Sequence, residues 1–385
     1  MASKHLKPWI WQQQDWPSFT WDMAALAGPL AAARRAQGEV AGMARLLNTD
    51  LDLQAQLQVL TQEGVATSAI EGERFEPNSV RSSVARRLGL PAGGLPPAPR
   101  SVEGLVDVLL DATRKYDQPL TLTQLCAWQA ALFPTGRSGL HEIRTGELRG
   151  DSPMQIVSGP IGRERVHYEA PPRKGLDAQM VQFLEWFNAP PPGLDGLLRA
   201  GLAHGWFELI HPFDDGNGRV GRALLDRALA QDEERGVRLY SMSARFMTVR
   251  EEYYAALGEL SRGTPDVTCW LTWFLEQVTA STRASEQTVQ GVLYKARFWV
   301  RHANQQLNER QQKALNVMLD AGKDGFAGGM SNKKYAHLTK ASPATAQRDL
   351  AELVELQCLN SVGAGRSARY ELKGLESSAH ETKED

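Results

Sequence analysis

The sequence predicts a mainly α-helical protein of more than one domain, and three observations support this prediction. The chain has 385 residues, more than one ordinary domain of about 100 to 200 residues, so we expect two to three domains. Apolar residues recur at helical spacing along most of its length. Only two short segments, near residues 155–168 and 358–372, combine strand-like residues with a Gly-containing turn, as β-hairpins do.

Residues 1–90 are predicted to form an N-terminal helical module. Prolines argue against one long helix at its start, which contains four tryptophans: Trp9, Trp11, Trp16 and Trp21. A helical pattern follows from about Met23 to Leu60, and residues 61–74 continue it. The stretch Leu90–Pro99 is rich in Pro and Gly and breaks every regular element, which places a boundary at about residues 88–100.

Residues 100–305 are predicted to form a helical core with further helices after it. Its helical patterns cover residues 105–116, 122–132, 176–187, 197–210 and 267–307. Between the second and third of these, Gln155–Val157 and Glu164–Tyr168 flank a turn at residues 158–162. This part of the core is therefore predicted to be a β-hairpin.

Residues 308–373 have a different pattern, which predicts a winged helix. A helix at residues 310–319 precedes two further helices at 332–338 and 343–356, and Pro343 after Ser342 is a good helix start. Strands at 358–362 and 368–372 then form the wing. The tail, residues 374–385, is polar and acidic and is predicted to be disordered.

Composition excludes several classes of protein. A net charge of -2 and a pI near 6.5 give no overall affinity for polyanions, so any nucleic-acid surface must be local. Cys126, Cys269 and Cys358 are far apart, so neither a disulfide framework nor a thiolate zinc site is supported. No segment is apolar and long enough for a signal peptide or a membrane span, and we expect a cytoplasmic protein with no membrane partner.

The residues that carry chemistry lie in the string His211–Arg222, which reads His-Pro-Phe-Asp-Asp-Gly-Asn-Gly-Arg-Val-Gly-Arg. Residues Gly216 to Gly218 predict a turn that opens a helix, where backbone N–H groups converge on an anion. Arg219 and Arg222 lie three residues apart on that helix and add two charge-assisted phosphate partners. The predicted ligand is therefore a polyphosphate.

Two further side chains in the string suit catalysis beside such a ligand. Asp215 supplies a hard oxygen, which suits Mg²⁺ shared with a nucleotide better than a closed protein cage. His211 is placed to take a proton from an attacking hydroxyl. Phe213 has no polar chemistry and is predicted to point into the core.

This string resembles the Fic motif, His-x-Phe-x-Asp/Glu-Gly-Asn-Gly-Arg-x-x-Arg, without departure, and the resemblance to a Fic core covers about residues 100–265. It implies transfer of AMP from ATP to a Ser, Thr or Tyr hydroxyl of a protein. His211 is then the general base, and Asp215 is the ligand of Mg²⁺, or of Mn²⁺ in its place. The residues implied for the phosphates are Gly216, Asn217, Gly218, Arg219 and Arg222.

Position 218 bears on the subclass, because kinase-like Doc relatives carry lysine there and bind the nucleotide in reversed orientation. With Gly218, this chain resembles the AMP-transferring members.

A second string, Thr67-Ser-Ala-Ile-Glu-Gly72, resembles the Fic inhibitory pattern Ser/Thr-x-x-x-Glu-Gly/Asn. A glutamate at position 71 beside Arg222 would satisfy that arginine and place negative charge where the γ-phosphate must lie. The resemblance therefore implies a built-in N-terminal inhibitory helix that carries Glu71. The Trp-rich start likewise resembles the module that often precedes such Fic cores.

The hairpin at residues 155–168 resembles the Fic flap, which holds an extended stretch of the target protein by strand addition. Its candidate contact residues are Ile161 and His167.

The winged helix leaves DNA binding, protein docking and homodimerisation open. Its segment from Arg310 to Lys373 has ten basic and six acidic residues and is only mildly basic. The candidate DNA contacts are Thr345, Gln347, Arg348, Lys333, Lys334, Lys340, Arg366 and Arg369.

Two alternative functions remain open at this stage. One is removal of AMP from proteins at the same site, with Glu71 orienting water. The other is transcriptional regulation, in which the Fic core senses a nucleotide and the winged helix binds DNA.

Overall fold

The structure, a computed structural model, describes residues 9–45, 47, 49–90, 96–158, 163, 165–320, 328–363 and 368–373. It is mainly helical, which confirms the predicted fold class. The helices are α1 (Met23–Ala44), α2 (Thr49–Ile70), α3 (Pro77–Arg87), α4 (Arg100–Arg114), α5 (Leu122–Leu132), α6 (Leu176–Asn188), α7 (Gly196–Ile210), α8 (Asn217–Glu233), α9 (Met242–Thr248), α10 (Arg250–Arg262), α11 (Thr268–Arg301), α12 (Glu309–Asp320), α13 (Asn332–Thr339) and α14 (Pro343–Glu355). Within the described ranges, no helix combines the length and apolar character that a membrane crossing requires.

The described strands pair as three antiparallel hairpins. They are β1 (Arg137–Ser138) with β2 (His141–Glu142), β3 (Gln155–Ser158) with β4 (Arg165–Glu169), and β5 (Leu359–Val362) with β6 (Arg369–Leu372). The second and third are the two predicted hairpins. Most of the turn predicted at residues 158–162, the tip of the predicted wing and the predicted acidic tail lie outside the described residues.

The chain divides into two compact units. One comprises residues 1–46 and 55–285, and the other comprises residues 47–54 and 286–385. This division does not test the domain bounds predicted from the sequence, which remain a prediction.

Helices α7 and α8 form the centre of the first unit. Every residue of α7 from Leu197 to Ile210 is buried, and so is α8 from Arg219 to Ala230. A helix buried all round has to be surrounded by protein, and α4, α5, α6 and α10 pack against this pair. The loop that joins α7 to α8 carries the sequence motif and is therefore anchored at both ends.

The helical pattern predicted across residues 23–74 folds as two helices, α1 and α2, and α2 ends at Ile70. Gly72 ends it, because its left-handed φ of +82° is readily adopted only by glycine. Helix α3 was not predicted, although Pro77 in its first turn is a helix-start signal.

The second unit contains the predicted order of helix, helix, helix and hairpin, in α12, α13, α14, β5 and β6. Its core includes Leu315, Met318, Tyr335, Leu350 and Leu353. The identification of this unit as a winged helix stays a prediction.

Candidate active site

The loop between α7 and α8 has a fixed backbone. His211 ends α7 in the left-handed conformation, with a φ of 51°, which costs a non-glycine residue about 1 to 2 kcal/mol. The buried Arg149 donates from Nε to the carbonyl oxygen of His211 at 2.9 Å, and its backbone N–H donates to that of Pro212 at 3.0 Å. These two bonds hold the strained residue in place.

Asn217 closes the same loop from the other side. Its side chain accepts from the backbone N–H of Phe213 and donates to the Phe213 carbonyl, both at 2.8 Å. Phe213 itself is fully buried beside Phe207, as predicted. Because the Asn217 amide is used inside the loop, its predicted contact with a phosphate rests on its backbone N–H.

The His211 ring is in the state that a general base requires. Its Nδ1 lies 3.3 Å from the carbonyl oxygen of Glu208, and because a carbonyl only accepts, Nδ1 carries the proton and Nε2 has the lone pair. Burial lowers the pKa of His211 to about 4; the bond to Glu208 opposes this effect and the charge of Arg149 adds to it. The ring is therefore neutral at pH 7.

The start of α8 is an open helix N-terminus. Gly216 precedes it with a φ of +86°, and no side chain from the described part of the chain caps the first N–H groups. A Cβ on Gly216 would lie 2.8 Å from the ring of Phe133, so this turn requires glycine. Uncapped N–H groups at a helix start favour an anion.

Arg219 and Arg222 are both buried, with side chains 4% and 2% exposed. The guanidinium of Arg219 packs over the ring of Phe133 at 4.8 Å, and its Nε has no hydrogen-bond partner in the described part of the chain. An unsatisfied buried donor is costly, and this one fits a site that receives a phosphate oxygen.

Asp215 offers one carboxylate at the edge of this site. It accepts from the backbone N–H of Gly216 at 2.5 Å and contacts the hydroxyl of Ser138 in β1, a residue that sequence reasoning missed. Within the described ranges, no group of three or more His, Cys, Asp or Glu residues could hold a metal ion. A single carboxylate fits Mg²⁺ that takes its remaining ligands from phosphates and water.

Glu71 lies against α8 and pairs with Arg222. Its Oε1 accepts from Nη2 of Arg222 at 2.7 Å. Arg222 also donates from Nε to the hydroxyl of Thr67 at 2.8 Å and from Nη2 to the Thr67 carbonyl at 3.0 Å. The first residue and the glutamate of the Thr67–Gly72 string therefore bind the same arginine.

Glu71 was predicted to lie on the inhibitory helix, but it lies directly after the end of α2. The N–H groups of Gly72 and Glu73 return to the carbonyl oxygens of Ala69 and Ser68, a helix ending that turns the chain away after residue 71.

The carboxylate of Glu71 is ionised at neutral pH. Burial by itself would raise the pKa of Glu71, but the charge and hydrogen bond of Arg222 hold it below its ordinary value. A Cβ on Gly218 would lie only 2.3 Å from Oε1 of Glu71. The glutamate therefore approaches the backbone of the predicted phosphate site closely because residue 218 has no side chain.

A second ion pair, which sequence reasoning missed, joins the same segment to the other arginine. Glu73 Oε2 accepts from Nη1 of Arg219 at 3.0 Å, and the Glu73 side chain is 42% exposed. A signal was present in the sequence, since a second glutamate follows Glu71 by two residues.

Another carboxylate, Glu208 on α7, is buried behind these arginines and was also missed. Its Oε1 has no hydrogen-bond partner within the described ranges and would lie 2.5 Å from a Cβ on Gly221. Burial raises the pKa of Glu208 to about 7. The charge of Arg222 opposes this rise, and the charge of Glu71 adds to it.

The predicted flap, β3 and β4, is held through β4. Trp11 Nε1 donates to the carbonyl of Glu169 at 2.7 Å, and Trp9 packs edge to face on Tyr168 at 5.3 Å. Arg262 of α10 donates to the carbonyl of His167 at 3.1 Å. The tryptophan-rich start of the chain thus supports this hairpin.

Strand β3 is the outer strand of the flap, because among the described residues β3 and β4 pair only with each other and β4 is the strand held by α10 and the tryptophans. Its Ile156 and Val157 are 41% and 46% exposed. Of the two predicted contact residues, His167 is exposed on β4 and Ile161 lies outside the described residues.

Comparisons with known protein families match two parts of the chain. Residues 119–229 match the Fic/DOC family, and residues 9–90 match a domain of unknown function, DUF4172. Residues 119–229 are therefore similar to the Fic/DOC family, and similar curated proteins are named adenylyltransferases.

The similar curated proteins are related to this chain over a limited region. A probable protein adenylyltransferase of Aquifex aeolicus is 34% identical over 110 residues, which are 24% of this chain and 32% of that protein. The protein adenylyltransferase fic-1 of Caenorhabditis elegans is 31% identical over 116 residues, 30% of this chain and 20% of that protein. The chain thus spans about a third and a fifth of these relatives.

Solved structures share the fold over more of the chain. A Fic family protein from Desulfovibrio desulfuricans G20 has a TM-score of 0.55 and 20% identity, covering 93% of this chain and 98% of its own. Residues 134–508 of C. elegans Fic-1 have a TM-score of 0.50 and 19% identity, covering 71% of this chain and 75% of their own. At such identity the likeness concerns the fold alone.

Proposed function

We propose that this chain is an autoinhibited protein adenylyltransferase, which moves AMP from ATP to a Ser, Thr or Tyr hydroxyl of another protein. The observation that carries the proposal is the convergence of a neutral His211, an uncapped helix start and two buried arginines around one loop. The Fic domain and its named adenylyltransferase relatives support the same reaction.

In the proposed reaction, the target hydroxyl oxygen attacks the α-phosphorus of ATP. His211 Nε2 takes the hydroxyl proton, the new P–O bond forms, and the bond to the leaving pyrophosphate breaks. The start of α8 and Arg219 stabilise the charge that develops on the phosphate oxygens. Asp215 holds the Mg²⁺ in this scheme, and the ion supplies positive charge beside the phosphates.

The flap positions the target in this scheme. An extended segment of the target adds to the outer edge of β3, where main-chain hydrogen bonds set its register. The exposed Ile156 and Val157 offer apolar contacts to alternate side chains of that segment. Fixing the target backbone brings one hydroxyl in line with the α-phosphorus.

Inhibition follows from competition for Arg222. The γ-phosphate needs this arginine, but Glu71 already occupies it at 2.7 Å and places a second negative charge there. Arg222 then does not hold the γ-phosphate, and ATP binds in a position that does not lead to transfer.

The proximity of Glu71 to the site also favours a second candidate activity, removal of AMP from a modified protein. The Glu71 carboxylate lies against Gly218 in the same site as His211, and in this second candidate it orients a water molecule there. In that reaction, loss of Glu71 abolishes activity, whereas it releases adenylyl transfer.

The test is the Glu71→Gly variant, incubated with labelled ATP and cell extract, followed by mass spectrometry of the modified proteins. Freeing Arg222 restores one charge-assisted bond to the γ-phosphate, worth about 1.5 to 3 kcal/mol, so we expect a rise in transfer of about 10- to 100-fold. Glu76→Gln, which removes an exposed glutamate from the same segment, is the matched control and should behave as the parent chain.

The double variant with His211→Ala should lose the gain, because release of inhibition cannot replace the base. A Glu71→Gly chain no more active than the parent rejects autoinhibition, and an undiminished gain in the double variant removes His211 from the mechanism.

A further inference from the structure

We propose that the second unit docks double-stranded DNA through α13 and the solvent-facing side of α14. We call this surface the cationic face and define it by Lys333, Lys340, Gln347 and Arg348. All four residues are exposed.

Helix α14 presents a continuous exposed stripe. Ala344, Gln347, Arg348 and Ala351 are exposed at spacings of three and four residues, so they lie on one side of the helix. The opposite side is buried in the core of the unit. Two small alanines beside Gln347 and Arg348 leave a narrow helix surface, which fits the width of a major groove.

Charge is segregated along this helix-turn-helix. From Gly328 to Arg348 the sequence contains no Asp or Glu, whereas it contains four Lys or Arg residues and one His. The exposed acids of α14, Glu352 and Glu355, lie in its last two turns. Glu352 is turned back toward α12, where its Oε2 accepts from Gln311 at 2.8 Å.

The cationic face is held rigidly from behind. The buried Asp349 accepts from Arg310 of α12 at 2.8 Å and from the hydroxyl of Tyr335 in α13 at 3.0 Å. One carboxylate thus ties three helices together, and the residue just before it, Arg348, faces solvent. Fixed elements present side chains to a groove with little loss of conformational entropy.

The hairpin adds a further cation at the edge of this face. Met330, just before α13, exchanges backbone hydrogen bonds with Tyr370 of β6 at 2.8 Å. The neighbouring Arg369 lies beside Gly329 and is exposed. Glu371, also exposed, lies two residues along β6 on the same side as Arg369 and beside the same Gly329, so it offsets this cation and the proposed DNA contact rests on α13 and α14.

The face suits DNA better than a protein partner. A protein interface has an apolar core rich in aromatic residues, but none of the large hydrophobic residues recorded as exposed in the structure belongs to α13 or α14. Cations with an amide and small residues are the usual partners of phosphates and base edges.

The test uses the full-length chain and a labelled 30-base-pair DNA duplex of random sequence, with fluorescence anisotropy at several salt concentrations. Lys333, Lys340 and Arg348 provide three phosphate or base contacts, so the logarithm of affinity should fall with the logarithm of salt with a slope of about −3. The triple variant Lys333→Gln, Lys340→Gln and Arg348→Gln should lose this binding.

Single variants separate the contacts. Arg348→Gln should weaken binding about tenfold or more and relax any preference found by selection from random duplexes, whereas Lys340→Gln should weaken all sequences alike. Lys313→Gln, which removes an exposed cation of α12 outside the cationic face, is the matched control and should bind as the parent chain does.

Unchanged thermal unfolding in each variant shows that the fold is intact. Adenylyl transfer should also be unchanged, because the proposed transfer site lies in the other unit. The proposal is overturned if the parent chain shows no salt-dependent duplex binding, or if the triple variant binds as the parent does. It is also overturned if an RNA duplex competes equally, since the deep, narrow major groove of RNA does not admit α14, or if the face instead joins two copies of the chain.

Discussion

At the scale of single residues, two arginines of α8 meet two carboxylates from one short segment. Glu71 pairs with Arg222 and Glu73 pairs with Arg219, at 2.7 and 3.0 Å. The two pairs differ in exposure, since the glutamate side chains are 31% and 42% exposed. The more exposed pair is better screened by water and contributes less.

Glu73→Gln should therefore release adenylyl transfer to a smaller extent than Glu71→Gly. An ion pair whose carboxylate is open to water is worth up to about 1 kcal/mol, so we expect a rise of about two- to fivefold, measured with labelled ATP under the same conditions. The gain should multiply with that of Glu71→Gly in the double variant. If Glu73→Gln matches both the parent and Glu76→Gln, the pair with Arg219 does not take part in inhibition.

Glu208 gives the first unit a dependence of stability on pH. The pKa of this carboxyl is raised from 4.5 to about 7 by burial, so between these values the folded chain keeps a proton that the unfolded chain has lost. The contribution of Glu208 to stability therefore falls as pH rises from 4.5 to 7, by about 3 kcal/mol, and this loss is complete above pH 7.

Urea unfolding of the parent and of Glu208→Gln, compared at pH 5 and pH 8, measures this contribution. The variant cannot ionise at position 208, so it should gain stability relative to the parent as pH rises. Parallel pH profiles for the two chains would show that Glu208 does not titrate in this range.

At the scale of elements, the active-site loop depends on the segment between β2 and β3. Arg149 of that segment holds the carbonyl of His211 and also donates to the carbonyl of Pro171, just after β4. One buried guanidinium thus connects the base to the end of the flap.

Arg149→Met should lower kcat by about 10- to 100-fold while the affinity for ATP changes by less than a few fold, because displacement of the base costs catalysis and not phosphate binding. Loss of the Arg149 charge should also raise the pKa of His211, so the acid side of the pH–rate profile should move to higher pH. Arg149→Lys should recover part of kcat.

Arg173→Met, which removes a half-buried arginine paired with Asp177 of α6, is the control for a general loss of charge in this region. An Arg149→Met chain that keeps its kcat, or that loses ATP affinity and kcat together, contradicts the positioning role.

At the scale of the whole molecule, the two proposed functions lie in different compact units. Residues 71, 149 and 211–222 belong to the first unit, and α12 to α14 with β5 and β6 belong to the second. The core of the second unit includes Phe298 of α11, so a chain shortened at residue 305 would leave part of that core without its partners. Point substitutions therefore separate the two functions better than truncation.

The sequence by itself determined the features that depend on neighbouring residues. The string from His211 to Arg222 forms one loop and one helix start, so its chemistry could be read from residue types and spacing alone. Helix α5 agrees with its predicted bounds, Leu122–Leu132, because helical periodicity and the capping Thr121 are local properties. The predicted end of α2 was wrong, because the prediction did not use Gly72 as a helix-stop signal.

Only the tertiary structure decided which distant groups meet this string. Nothing local to Arg149 or Ser138 indicates that they contact His211 and Asp215, because these contacts arise when separate elements pack around α7 and α8. The Glu208 carboxylate likewise lies against α8 only because α7 and α8 pack together. The pairing of Glu73 with Arg219 is of the same kind, since the turn after α2 aims both glutamates at α8. Protonation states followed from the same packing, because burial shifts a pKa and a sequence does not show how deeply a side chain is buried.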